Sequence, residues 1–597
     1  MAQTDKPCLS SSGDPRNKVS IPTPFYRNHQ LLTSGSLLLL SSTLIQTRSC
    51  AQSIDFIIPS FPAEPQQKPL PSREQPLQFP PSTIPLPEEL EAIPQSITVK
   101  EFVFVGNTVL SKEVLNQATA NFRGKPISFT QLLQAASQVT NVYIQEGYIT
   151  SGAYIPTQQL DSGVVTIQIV EGSVANIEVE VVEGNLSPDY VKDRLELATN
   201  EPLNIRKLQE ALQILQYNPL IKSLQAELLA GTEPGTNILK VNLVEADTFT
   251  LTPSINNSRN PSVGTFERRI QLTEANLFGR GDEINLAYSN TDGSDRFDFD
   301  YTIPVNALNG TVGIFSSFSN NEIVEPPFDE LDIQIDSQEF GLTLSQPIFQ
   351  RATPELTQEF ILSLTAGRRN SDSRLLGVNF PVSTGANEEG ETRISALRFS
   401  QEWLQRTRQS VFNARSQFSL GVNLFDATVN DDEPDSRFFA WRGQLIYNRL
   451  LGSENNEQIV NPSLLLRSDV QLSTTSLVPI EQLGLGGQAS VRGYRQDALL
   501  SDNGIFLSAE VRLPIMQFPE VQGSLQVAPF VDFATGWNTE GDDLDPNTIA
   551  SIGLGLIYQA TNKFAARLDW GIPLIALDSE RRTWQENGVY FQLEYNF

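Results

Sequence analysis

The chain has 597 residues, with 42 Lys+Arg against 70 Asp+Glu and a formal net charge of −28. That length implies two to four structural units rather than one. So acidic a balance repels nucleic acid and offers no polybasic surface, which argues against a DNA- or RNA-binding role.

In chain order, the first segment reads as an address. Arg27, Asn28, His29 and Gln30 precede an apolar core from Leu31 through Ile45, and Ser49-Cys50-Ala51 places small residues before a cut after Ala51. This pattern predicts a secretory signal over residues 1–51. The two cysteines, Cys8 and Cys50, and the one histidine, His29, all fall within it. The processed chain then has neither thiol nor imidazole, so zinc sites of the usual kind, cysteine nucleophiles and Ser-His-Asp triads are excluded. Carboxylate, lysine or tyrosine chemistry stays open, but no catalytic residue, metal site or cofactor is singled out as an expectation. Residues 52–94 are crowded with prolines, from Pro59 and Pro62 to Pro87 and Pro94. Fixed φ and missing N–H groups make this an extended, semi-rigid linker.

Residues 95–172 and 173–246 read as two related α+β modules. In the first, Ile97–Val105 alternates as a strand and ends at Gly106-Asn107. Helices are expected over Lys112–Ala120 and Phe129–Gln145, then strands at Ala153–Pro156 and Val164–Val170. The order recurs: a strand at Ile177–Val182 ending at Gly184-Asn185, helices at Asp189–Leu197 and Ile205–Tyr217, strands at Leu224–Leu229 and Ile238–Val244. The Gly-Asn pairs are 78 residues apart and the Val170-Glu171 and Val244-Glu245 endings 74 apart, which implies an internal duplication. Phe102-Val103-Phe104-Val105-Gly106-Asn107-Thr108 and the ending Val165 to Gly172 resemble POTRA domains. The resemblance implies that a strand edge near Phe102, Phe104, Gly106 and Asn107 receives unfolded client polypeptide by β-augmentation. The alternative is a rigid spacer without client contact.

From Asp247 to Phe597 the period is two almost throughout. Phe297, Phe299, Tyr301 and Ile303 alternate with Asp298, Asp300 and Thr302. Phe564, Ala566, Leu568, Trp570 and Ile572 oppose Ala565, Arg567, Asp569 and Gly571. Val589, Phe591, Leu593, Tyr595 and Phe597 share a face in the final run. Charges in mid-strand suit a water-filled lumen and not a sandwich core, and lipid requires the sheet to close. A transmembrane antiparallel β-barrel of about 16 strands, near 22 residues each, is predicted over 247–597. The terminal Phe597 resembles the signal that bacterial barrel-assembly machinery reads, which implies that machinery as a partner during biogenesis.

Within Leu483 to Arg495 lies Val491-Arg492-Gly493-Tyr494. No helix and no Lys-Ser/Thr pair follow its glycines, so a phosphate loop is not indicated. The four residues resemble the hallmark of the outer-membrane insertase and two-partner-secretion superfamily. There a long loop folds back into the barrel and its arginine meets an acidic residue on the inner wall. Alternation turns Asp532 inward beside Ala528 and Phe530, in a stretch loosely similar to the family's Phe-x-Asp strand motif, so Asp532 is the expected inner-wall partner. Arg280-Gly281-Asp282 reads as an ordinary hairpin turn. Asp431-Asp432-Glu433 and Gly541-Asp542-Asp543 lack the spacing of a calcium loop. Glu402 beside Trp403 has no second placed carboxylate to support carbohydrate chemistry.

Signal, proline-rich linker, two POTRA-like modules and a barrel with this motif together resemble the haemolysin-activator and adhesin-exporter branch, the transporter half of two-partner secretion. The resemblance implies an outer-membrane translocase of a Gram-negative-type cell, with its modules in the periplasm. Its cargo would be one large secreted client, haemolysin- or adhesin-like and β-helical, unfolded in transit and activated with export. The family's plug helix has no convincing counterpart in residues 52–58. The alternative is an insertase or envelope-biogenesis factor that assembles β-barrel proteins; a passive porin or a barrel enzyme leaves the duplicated modules unexplained.

Overall fold

The computed structural model describes residues 77–78 and 96–597, apart from 161, 432–433, 453–460, 542–543, 562 and 578–581. The leader, most of the linker and parts of both acidic loops therefore lie outside the described residues. No helix among those described is long and apolar enough to cross a membrane.

The first module runs β1 (Glu101–Val105), α1 (Lys112–Ala118), α2 (Phe129–Gln145), β2 (Gly152–Tyr154) and β3 (Val164–Val170). Its sheet has the order β1-β3-β2, with β1 parallel and β2 antiparallel to β3. Helix α1 stops two residues before the expected Ala120, where a 3-10 turn follows. Helix α2 starts sharply because Ser128 and Gln131 form a capping box. Its stripe of Leu132, Ala135, Ala136, Val139 and Tyr143 closes over Phe102, Val165, Ile167 and Ile169.

The second module repeats this plan with β4 (Ser173–Glu183), α3 (Pro188–Glu196), α4 (Ile205–Gln216), β5 (Ile221–Ala230) and β6 (Thr236–Glu245). Strand β4 is parallel and β5 antiparallel to the central β6. A two-residue strand of the linker, Leu77–Gln78, adds parallel to the free edge of β5. Helix α4 begins where α2 ends. The Ile205 amide donates to the Gly147 carbonyl at 2.9 Å, Asn204 Nδ2 to Glu146 O at 3.1 Å, and the Arg206 guanidinium to Gln145 O at 2.5 Å. The carbonyls orphaned at the end of α2 are thus satisfied by the next module, which joins the two.

The barrel has sixteen long strands: β7 (Phe249–Asn256), β8 (Glu267–Ala275), β9 (Glu283–Asn290), β10 (Ser294–Pro304), β11 (Thr311–Glu322), β12 (Ile333–Ala352), β13 (Leu356–Leu375), β14 (Glu391–Thr407), β15 (Ser410–Val422), β16 (Phe439–Leu450), β17 (Ser463–Ser473), β18 (Asn503–Phe518), β19 (Gly523–Trp537), β20 (Thr548–Ala560), β21 (Phe564–Pro573) and β22 (Val589–Tyr595). They pair antiparallel in sequence order, and β7 closes on β22 through Ser254–Glu594, Ile255–Leu593 and Asn256–Gln592. Closure leaves no unpaired edge in lipid. Leu568, Trp570 and Ile572 are exposed on the outside, whereas Arg567 and Asp569 form an ion pair inside. Several other inward charges are also paired, as in Arg442–Asp469 at 2.6 Å and Arg369–Glu339 at 2.9 Å.

Helix α3 of the second module meets the near-side turns of the barrel. The Ser187 amide donates to Gly279 O at 2.7 Å, and Arg194 Nε to Asn309 Oδ1 at 2.8 Å. Arg280-Gly281-Asp282 sits in that first turn. Asp282 is fully buried, accepting from the Phe278 amide and the Tyr301 hydroxyl, so the tripeptide is a structural turn.

Candidate functional site: a loop held inside the barrel

Residues 474–502 connect β17 to β18 at the end of the barrel away from the modules, and turn back into the lumen. Leu483, Leu485, Val491, Tyr494 and Leu499 of the loop pack with Phe506, Ala534 and Ile549 of the wall. This apolar cluster lets the loop stand in an otherwise polar lumen.

The structure brings Arg492 and Asp532 together. Arg492 is 1% exposed and Asp532 fully buried. Nε donates to Oδ2 at 2.8 Å, Nη2 to Oδ1 at 2.9 Å, and the Arg492 amide to Oδ2 at 3.1 Å. The pair is bidentate, which fixes direction as well as adding attraction. Phe530 also points inward, and the guanidinium lies 3.4 Å from its ring centroid, a favourable desolvated arrangement.

Asp532 is not the arginine's only acidic neighbour. Nη1 donates to Glu510 on β18 at 2.6 Å and stands 3.6 Å from Asp569 on β21. These carboxylates are held in turn by Arg567, at 2.6 Å from each, and by Arg512 at 2.8 Å from Glu510. Positive and negative groups alternate around the site, so no buried charge stands alone. Sequence reasoning missed Glu510 and Asp569. Asp569 was read as inward, but nothing local in the chain indicates that β18, β19 and β21 aim their carboxylates at one point.

The flanking motif residues each have a separate role. Gly493 adopts φ +107°, and a Cβ on Gly571 of β21 would meet the Arg492 carbonyl carbon and the Gly493 nitrogen at 2.6 Å. Two glycines therefore let the loop backbone touch the wall backbone. The Tyr494 hydroxyl lies 2.9 Å from both Ala550 O and Ile575 O. Tyr590 on the last strand, which sequence reasoning missed, accepts from the Gly493 amide at 3.0 Å and donates to the Tyr494 carbonyl. Val491 is fully buried in the apolar cluster. Beyond the motif, Arg495 reaches Glu325 at 2.7 Å and Glu586 at 3.5 Å on two other far-end loops.

The residues expected to dock a client are placed differently. Phe102 is 3% exposed and belongs to the core of the first module, and Phe104 packs against that core. Alternation along β1 turns the phenylalanines in and leaves Val103 and Val105 out, so Phe102 cannot be a docking side chain. Gly106 and Asn107 form the turn after β1: Asn107 Oδ1 accepts from the Leu110 amide at 3.0 Å, and Nδ2 donates to Leu110 O at 2.7 Å. Beside it Glu171 accepts from the Thr108 amide at 2.8 Å and from the Thr108 and Tyr143 hydroxyls. Burial pushes the Glu171 carboxyl up, but these hydrogen bonds outweigh it and hold it below the usual carboxylate range. Burial, together with Glu171, pushes the Tyr143 phenol well up. In the second module Glu245 repeats the device, accepting from the Asn185 and Leu186 amides, and its other oxygen takes Asn276 Nδ2 of the first barrel turn at 2.5 Å.

Residues 235–558 match the haemolysin secretion/activation protein family ShlB/FhaC/HecB, and residues 97–172 match the ShlB-type POTRA domain. The outer membrane transporter CdiB of Dickeya dadantii is 24% identical over 470 residues, covering 77% of this chain and 79% of that one. The heme/hemopexin transporter protein HuxB of Haemophilus influenzae is 22% identical over 479 residues, covering 76% and 79%. The solved structure of CdiB from Escherichia coli superposes with a TM-score of 0.64 at 20% identity, over 94% of this chain and 99% of that one, and so shares the fold. With POTRA module, closed barrel and inward-folded loop in place, the chain belongs to the haemolysin secretion/activation protein family and is an outer-membrane transporter of the two-partner secretion type.

Proposed function

We propose that this transporter carries one dedicated secreted protein, haemolysin- or adhesin-like and β-helical, from the periplasm to the cell surface, together with its activation. The observation that carries the reading is the loop 474–502, which occupies the lumen and is held there by side-chain contacts outside the barrel's strand ladder. An unfolded client approaches the periplasmic modules and pairs with a strand edge through backbone hydrogen bonds, which demand no particular sequence. In the second module the β5 edge already carries the linker strand. Edge β1 of the first module has no strand beyond it among the described residues and presents Val103 and Val105. Client folding outside the cell would prevent return and would need no nucleotide.

Deleting the gene tests this. One protein should vanish from the secreted fraction while other outer-membrane barrels keep their abundance. Depletion of many barrels would favour the insertase reading, and unchanged secretion with unchanged barrels would refute both.

A further inference from the structure

The loop is gripped a second time, far from Arg492. Its descending arm contains the 3-10 turn Pro479–Glu481. Glu481 Oε1 lies 2.7 Å from Arg398 Nη2 on β14 and 3.4 Å from Arg369 Nη1 on β13. Arg369 also donates to the Ile480 carbonyl at 3.2 Å and to Glu339 on β12 at 2.9 Å. The ion pairs are shielded: the side chains of Glu481, Arg398 and Arg369 are 11%, 17% and 5% exposed. Next to them Leu477, Val478 and Ile480 pack with Ile394, Ala396, Phe438 and Ala440 of the wall.

Strand β19, which carries Asp532, is five strands beyond β14 and six beyond β13 in the ring of sixteen. One arm of the loop is thus fixed to one side of the lumen and its tip to another, well over a quarter of the circumference away. A segment tied at both ends spans the lumen as a strut. Releasing Arg492 alone leaves the arm attached.

We propose that Glu481 is a second anchor of the loop, a positioning residue whose ion pairs with Arg398 and Arg369 hold the arm across the lumen, so that full opening requires both grips to let go. This rests on reading the loop as the element that closes the lumen. It assigns to Glu481 what the Val-Arg-Gly-Tyr motif does not cover.

The test is ion conductance of the full-length transporter in planar lipid bilayers, for the wild type, Glu481→Gln, Arg492→Ala, the double variant, and the charge swap Glu481→Arg with Arg398→Glu. Heat-modifiable mobility in gels verifies barrel folding. Glu481→Gln should raise the open fraction roughly tenfold, the scale of one lost charge-assisted hydrogen-bonded pair. The double variant should open further than either single one, and the swap should return towards wild type. If Arg492→Ala opens the pore while Glu481→Gln matches wild type, the second anchor is refuted and the loop reading stands. If no variant opens it, both fall. Should Glu481→Gln fail to assemble, Arg398→Gln removes the same pair from the wall side and is read in the same way.

Discussion

Arg492 is a buried cation that pairs the loop to the barrel wall. Its removal strips Asp532 of a bidentate partner inside a shielded site, a loss of about 3–5 kcal/mol where one member of a buried pair is deleted. Arg492→Ala should therefore free the loop tip, raise pore conductance and abolish export, read by bilayer recording and by assay of the secreted client. Arg492→Lys keeps the charge but not the planar fork, and export should fall to an intermediate level. Glu171 makes a second prediction at this scale. Its folded carboxyl sits below its unfolded value, so its contribution is fully present above the ordinary glutamate range and is lost as pH falls through the lower folded value. Glu171→Gln should lower amide-exchange protection of the first module at neutral pH and flatten its decline in acid.

At the scale of elements, the contact between loop tip and β21 depends on two backbones without side chains between them. Gly571→Val places atoms where the Arg492 and Gly493 backbone lies. The tip should be displaced and export lost, while the barrel still shows its folded gel mobility. The joint between modules is a similar matter of termini. Asn204 caps α4 and reaches the end of α2, where Arg206 also lies. Asn204→Ala with Arg206→Ala should cost about 1 kcal/mol at the cap and widen the distribution of distances between spin labels on the two modules. The duplicated Gly-Asn and Val-Glu pairs reveal their purpose here. In each module the glutamate ending the last strand accepts amides from the turn after the first strand. Only the second module extends that contact into the barrel, through Asn276.

Across the whole molecule, the barrel closes where its last strand meets its first. The Phe597 amide donates to Leu251 O at 3.0 Å beside the seam between β7 and β22. Deleting Phe597 should lower the fraction of heat-modifiable barrel recovered from membranes, both by loosening this seam and by removing the outward aromatic proposed to engage the barrel-assembly machinery.

Much of this was legible in the chain because the signals are local. A period of two needs only neighbouring residues, so Phe297, Asp298 and Phe299 disclose a wall with a lipid side and a water side without any partner strand. The helices were equally readable from spacing, with ends misplaced by a residue or two, as where a 3-10 turn follows α1. The inward turn of Phe102 has the opposite cause. Alternation shows that Phe102 and Phe104 share a face, yet whether that face is turned to solvent or to the helix behind it depends on which side α2 covers.

The sequence by itself determined the duplicated modules, the closed barrel, the motif arginine and the inward Asp532, since each follows from short-range pattern or from motif residues. Only the tertiary structure decided that Glu510 and Asp569 join Asp532, that Gly571 and Tyr590 receive the loop tip, and that Glu481 binds Arg398. Those pairings depend on strand register and ring closure, which place residues tens to hundreds of positions apart within a hydrogen bond's reach. No local feature of the chain encodes such a distance.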